Sequence, residues 1–190
     1  LNEFGWAVVD NFLGEYVVRE CAKEMDKLFN NGLFTEGRLK GNIYDKRVRS
    51  DIIFCDNGVN DRAAEALKIR VVVQVLDSMI PFFRDLVEGK EIRSRSEAML
   101  AIYPGEGTHY KTHVDNPNDN GRLITCIYYC NPNWDVKEHG GALRLFPETS
   151  ECAVDVDPQA NRLVYFWSDG RNPHAVQPVW RRPRFAVTIW

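Results

Sequence analysis

AMLAIY (Ala98–Tyr103), HYKTHV (His109–Val114), LITCIYYCN (Leu123–Asn131), ALRLF (Ala142–Phe146), CAVD (Cys152–Asp155), LVYFW (Leu163–Trp167), HAVQ (His174–Gln177) and FAVTIW (Phe185–Trp190) follow one another through the second half of the chain. Each run is short and apolar or alternating, with the β-branched and aromatic residues that suit a pleated surface. Pro104-Gly105, Asn118-Asp119-Asn120-Gly121, Gly140-Gly141 and Asp157-Pro158 punctuate them as turns. Eight short strands at this spacing predict a sandwich or a jelly roll.

Upstream the periodicity changes. Val17, Cys21, Met25 and Leu28 fall at helical spacing and predict a helix over Gly14–Phe29, stopped by Asn30-Asn31-Gly32. Leu33–Asn60 is irregular, with Gly37, Gly41 and Gly58 among many charges. A second helix is expected after the cap pair Asn60-Asp61, carried by Ala64, Leu67, Val71, Val75 and Met79. Pro81 should kink or restart it, and Gly89 ends the helical half. Two helices ahead of the strands would pack on one outer face. The fold class is then α+β in one domain, with helical support over about 1–92 and a strand core over about 93–190.

The 190 residues suffice for one domain with a sizeable core. A net charge of −3 gives no broad basic field for nucleic acid. No apolar run approaches the roughly 20 residues that span a bilayer, and no signal-like stretch follows Leu1. Five cysteines, an odd number with no C-x-x-C pair, favour a reduced compartment, cytoplasmic or nuclear. Cys126 and Cys130 read as strand core.

His113-Val114-Asp115 carries the first chemistry. Residues i and i+2 of a strand share a face, so imidazole and carboxylate point together. A distant histidine completes a two-histidine, one-carboxylate set that leaves positions open on iron(II). The histidines are His109, His113, His139 and His174. His139, beside two glycines, reads as a surface residue. His109 shares the face of His113 and reads as a bystander. His174 opens a strand about sixty residues after Asp115, room for the strands between. Arg184 stands at the base of the apolar run Phe185–Trp190, where a buried guanidinium needs an anionic partner. A dicarboxylate cosubstrate would supply one.

The chain resembles the 2-oxoglutarate-dependent dioxygenases, and closely the hypoxia-inducible-factor prolyl hydroxylases. The resemblance is carried by Met99-Leu100-Ala101 with Tyr103-Pro104-Gly105, His113-Val114-Asp115-Asn116-Pro117, Thr125-Cys126-Ile127-Tyr128-Tyr129, Gly140-Gly141, Leu143-Arg144 and Phe146-Pro147-Glu148. It continues through Phe166-Trp167-Ser168-Asp169, Arg171-Asn172-Pro173-His174 and Val176-Gln177-Pro178, with Val8-Val9-Asp10 and Phe12-Leu13-Gly14 upstream. It implies a double-stranded β-helix (jelly roll) with N-terminal helices on the outer face. It implies that His113, Asp115 and His174 ligate Fe(II). Arg184 and Tyr129 would take the far carboxylate of 2-oxoglutarate, Tyr103 would line its pocket, and Ile127, Leu143, Thr188 and Trp190 would shape it. Arg122 would stand at the entrance with Asp51 as ionic partner, and Arg47 and Arg49 would meet an acidic segment of substrate.

The activity implied is 4-hydroxylation of a proline in hypoxia-inducible factor alpha, coupled to loss of CO2 from 2-oxoglutarate to give succinate. O2 would be the oxidant and ascorbate the reductant, in a monomer without membrane or nucleic-acid partners. Three departures stand out. One residue is inserted before Arg184, which makes Arg182 a rival anchor. His109 stands where the family often has glycine, and the Gly37–Ser50 loop diverges. The rival readings are a related dioxygenase acting on another intracellular protein, a catalytically silent jelly-roll binding module, and a zinc hydrolase on the same ligands.

Overall fold

The computed structural model describes residues 1–38, 47, 49–55, 65–84, 87 and 90–190. Its elements run β1 (Trp6–Val9), α1 (Glu15–Asn30), β2 (Thr35–Arg38), β3 (Arg49–Cys55), α2 (Leu67–Arg84), β4 (Ala98–Tyr103), β5 (Thr108–His113) and β6 (Ile124–Tyr129). They continue with α3 (Val136–His139), β7 (Leu143–Leu145), β8 (Val154–Val156), β9 (Leu163–Trp167), β10 (His174–Val179) and β11 (Arg184–Ile189). Every run read as a strand is one. The order is β1-β9-β6-β11-β4-β3-β2 in the larger sheet and β5-β10-β7-β8 in the smaller, all pairs antiparallel. From β4 onward the chain changes sheet at every step except β7 to β8, the winding of a jelly roll.

The central strands are buried on both faces, which is why they read as continuous apolar runs. Phe185, Val187 and Ile189 of β11, Cys126 and Tyr128 of β6, and Leu163 and Tyr165 of β9 face one core with Cys21, Met25 and Leu28 of α1 and Ile69, Val72, Val73 and Leu76 of α2. Their neighbours by pleat alternation, Ala186, Ile127, Tyr129, Val164 and Phe166, face the space between the sheets with Leu143 and Leu145. The helices therefore cover the outer face of the larger sheet, and the inner face remains for a site.

Sequence and structure differ in three places. The segment read as irregular contains the hairpin β2–β3, and β1 adds a further edge. TEGR carries charge and glycine as the outermost strand of the sheet, where such residues blunt further pairing, and RSDIIFC lies between it and β4. Secondly, α2 buries Ile69, Val72, Val73 and Leu76, while Leu67 is exposed. So much of this helix is apolar that periodicity does not choose between neighbouring stripes. Thirdly, α2 continues through Pro81 near its C-terminal end. The expected cap pair Asn60-Asp61 lies outside the described residues, as does Gly89. The free amides at the start of α2 are taken by Glu24 of α1, which accepts from Lys68 N and Ile69 N at 2.9 Å.

Candidate active site

His113 closes β5 and His174 opens β10, and the two are direct partners across the smaller sheet. Facing residues of antiparallel strands lie close enough for side chains to meet, and the imidazole centroids are 4.2 Å apart. Asp115 follows two residues after His113. Its Oδ1 is 3.5 Å from His113 Nε2 and its Oδ2 is 3.7 Å from His174 Nε2. One ligand atom from each residue lies within 4.8 Å of the others, a spacing that can hold a metal ion. Nδ1 of His113 faces the Lys111 carbonyl at 2.9 Å, and Nδ1 of His174 faces that of Asn172 at 3.2 Å. A carbonyl only accepts, so each Nδ1 carries the proton and each Nε2 turns its lone pair to the cluster.

Burial holds the His174 imidazolium pKa down to about 4; the Asp115 charge opposes the shift and His113 adds to it. Burial by itself would raise the Asp115 carboxyl. The adjacent His113 and His174 imidazoles and the Thr125 hydroxyl outweigh it and hold Asp115 well below the usual carboxylate range. At neutral pH the cluster is thus a neutral imidazole beside a carboxylate, the state that ligates a metal. A consequence follows for the metal-free protein. Between pH 6.5 and about 4 the unfolded chain protonates His174 and the folded chain does not. Stability contributed by this residue is therefore full above pH 6.5 and falls as pH drops toward 4, by about 3 kcal/mol. Asp115 continues the loss below its ordinary value of 3.8. Urea midpoints measured from pH 7.5 to 4.5 should fall accordingly, and less steeply in His174→Gln; identical slopes would refute the assignment.

A cavity of about 330 Å3 opens between the sheets, a volume suited to a small molecule. The three clustered groups line it together with Tyr103, Ile127, Leu143, Arg184, Thr188 and Trp190. Arg184 is 2% exposed. Its guanidinium carbon lies 5.1 Å from the Tyr103 ring centroid and 4.9 Å from that of Tyr129. Nε donates to the Gly141 carbonyl at 2.7 Å. A Cβ at Gly141 would meet Arg184 Cδ at 2.9 Å, with φ at +74°, so glycine is what lets the arginine stem pass. No carboxylate pairs with Arg184 among the described residues. The Tyr129 hydroxyl beside it is buried and has no hydrogen-bond partner among the described residues. Burial raises its pKa against the pull of Arg184, so it keeps its proton and remains a donor. A buried cation and an orphaned donor side by side fit a carboxylate.

Of the residues expected at the site whose side chains are described, Tyr129 alone is not on the cavity lining. Arg122 lines the cavity with its guanidinium 4.0 Å over the Trp190 ring and Nη1 3.3 Å from the Asp115 carbonyl. β3 places Asp51 and Arg49 beside β4, with Asp51 opposite Ile102, but their side chains lie outside the described residues. So does most of the Gly37–Ser50 loop. Arg182 turns away, 4.8 Å over the Trp134 ring and bonded to the Pro132 carbonyl, so the inserted residue leaves Arg184 on the cavity. His139 is not a surface residue: its side chain is 13% exposed and packs 5.1 Å from Trp134. Sequence reading missed Thr125, Tyr110 and Val176 on the lining. Thr125 shares strand parity with Ile127 and Tyr129, the signal that would have found it. A larger cavity of about 590 Å3, lined by Leu76, Ile80 and Phe83 among others, shares only Arg122 and Trp190 with this one and holds none of the clustered groups.

Among the described residues no helix is long and apolar enough to cross a membrane. The model of the 2OG-Fe(II) oxygenase superfamily matches residues 98–190. A Caenorhabditis elegans hypoxia-inducible factor prolyl hydroxylase is 53% identical over all of this chain, which spans 27% of that relative. A Mus musculus prolyl hydroxylase, EGLN3, is 45% identical over all of this chain and 79% of its own length. The structure of a Trichoplax adhaerens prolyl hydroxylase, in complex with a peptide of the hypoxia inducible factor oxygen degradation domain, superposes with a TM-score of 0.89 at 38% identity, covering 100% of this chain and 84% of that one. Identity at this level from end to end exceeds what a common architecture requires, and the chain belongs to the prolyl hydroxylases of the 2OG-Fe(II) oxygenase superfamily.

Proposed function

We propose that the chain is an oxygen-dependent prolyl 4-hydroxylase that uses iron(II) and 2-oxoglutarate and acts on a proline of hypoxia-inducible factor alpha. The observation that carries the reading is one cavity lined by both the His113-Asp115-His174 cluster and Arg184, which has no carboxylate partner among the described residues and has Tyr129 beside it. A zinc hydrolase or a silent binding module has no use for the second feature. The Trichoplax relative's peptide supports the substrate. Residues 1–190 form one catalytic domain in this reading, with about 1–92 supporting a core over about 93–190, in a cytoplasmic or nuclear monomer.

His113, Asp115 and His174 would hold the iron. Iron(II) with 2-oxoglutarate supplies the oxidation, in which one oxygen atom of O2 enters succinate as CO2 is lost and the other becomes the hydroxyl on C4 of proline. Arg184 pairs with the far carboxylate of the cosubstrate and Tyr129 donates its hydroxyl proton to the same group. Tyr103, Ile127, Leu143 and Thr188 orient the carbon chain and keep water out. Arg122 and Trp190 form the wall that an entering proline meets, and Asp51 and Arg49 on β3 would help seat the peptide.

The test is mass spectrometry on a proline-bearing peptide of hypoxia-inducible factor alpha. A gain of one oxygen on a proline, matched by succinate and dependent on O2, is expected. No turnover with iron and 2-oxoglutarate present would sink the enzymatic reading. Turnover of another protein's peptide in competition would move the substrate and leave the chemistry standing.

A further inference from the structure

Asp115 is held by two hydroxyls in series. Thr125 Oγ1 lies 2.7 Å from Asp115 Oδ2, and Ser168 Oγ lies 2.8 Å from Thr125 Oγ1. Both residues are buried, at 0% and 1% exposure. Proton counting sets the direction. A carboxylate only accepts, and a threonine hydroxyl has a single proton. Thr125 therefore donates to Asp115 and must accept from Ser168.

The pair also ties together the segments that deliver the cluster. Asn116, next to Asp115, donates its backbone N–H to the Ser168 carbonyl at 2.8 Å, and Ser168 N–H donates to the Leu123 carbonyl at 3.0 Å. Ser168 follows β9 and begins the loop that ends at His174, where the Asn172 carbonyl fixes Nδ1. Asp115 itself lies beyond the end of β5, where no strand pairing restrains its carboxylate. Thr125 lies within β6, flanked by β9, and its branched Cβ restricts the hydroxyl's direction.

We propose that Thr125 and Ser168 are positioning residues: they set the orientation of the Asp115 carboxylate toward the metal and couple it to the loop that delivers His174. The inference rests on the iron-dependent reading of the same site. Groups that orient a metal ligand carry a sizeable share of metal affinity although they never touch the ion.

The test titrates cobalt(II) into wild type, Thr125→Val, Thr125→Ser, Ser168→Ala and the Val/Ala double variant, reading visible d–d absorption and competition by a chelator. Thr125→Val should weaken binding by about 10–100-fold and shift the absorption bands, since the shape is kept and only the hydroxyl is lost. Thr125→Ser should restore most of the affinity. Ser168→Ala should weaken binding less, and should cost little more when added to Thr125→Val, because it acts through the Thr125 hydroxyl. Circular dichroism checks the fold of each. Should the valine variant not fold, Ser168→Ala against Thr125→Ser carries the comparison, the first weaker and the second close to wild type. Cobalt affinity and bands unchanged in Thr125→Val, or in Ser168→Ala where that pair carries the test, overturn the proposal, as do losses that simply add. Wild-type protein that takes up no cobalt overturns the iron-dependent reading, and this inference with it.

Discussion

Asp115→Ala is expected to weaken iron(II) binding by more than about 100-fold and to leave no measurable turnover. The reason lies in the composition of the cluster: His113 and His174 present neutral Nε2 atoms, so Asp115 is its one anion. Replacing a group that merely orients a ligand already costs about 10–100-fold in metal affinity, and removing the charged ligand itself must exceed that. The fold should survive. Alanine leaves the buried Thr125 hydroxyl without its acceptor, a loss of about 1–3 kcal/mol, and relieves the burial of a charge. Isothermal titration of the metal-free variant, with a thermal melt alongside, measures both effects. Unchanged iron affinity in a folded variant would remove Asp115 from the ligand set.

Arg184→Ala should act on the cosubstrate rather than the metal. Truncating one partner of a buried, hydrogen-bonded charge pair costs about 2–5 kcal/mol, so KM for 2-oxoglutarate should rise by roughly 30-fold to several thousand-fold. Iron affinity should stay near the wild-type value, because Arg184 touches Gly141, Tyr103 and Tyr129 and none of the three clustered groups. Discrimination against a 2-oxo acid lacking the far carboxylate should collapse at the same time, since the charge that rewards that carboxylate is gone. Arg184→Lys should recover only part of the loss: a point charge on a flexible stem does not present a fork. Steady-state kinetics with both acids decides it. A KM for 2-oxoglutarate within a few-fold of wild type would place the far carboxylate elsewhere.

Much of this was legible in the chain itself. The alternation within LITCIYYCN and FAVTIW marks strands, and their apolar character on both parities marks a sheet covered on both sides. Because alternation is local, it also places His113 with Asp115, and Thr125 with Ile127 and Tyr129. Less legible were the short edges. Trp6–Val9 and Thr35–Arg38 are four residues each, too short for a period to declare itself, and they are strands only because β9 and β3 offer partners. The start of α2 was hidden for a related reason: its cap is Glu24, more than forty residues away.

The amino-acid sequence by itself determined the strand runs, the class of fold, the three metal-ligand candidates and the arginine that points to a dicarboxylate, because periodicity and residue chemistry are properties of neighbours along the chain. Only the tertiary structure decided that His174 stands opposite His113, that Arg184 rather than Arg182 lines the cavity, that Tyr129 waits beside it without a partner, and that Ser168 reaches Asp115 through Thr125. Those four facts depend on strand register and sheet order. Register joins residues some forty to sixty positions apart, and no local pattern encodes which of them will meet.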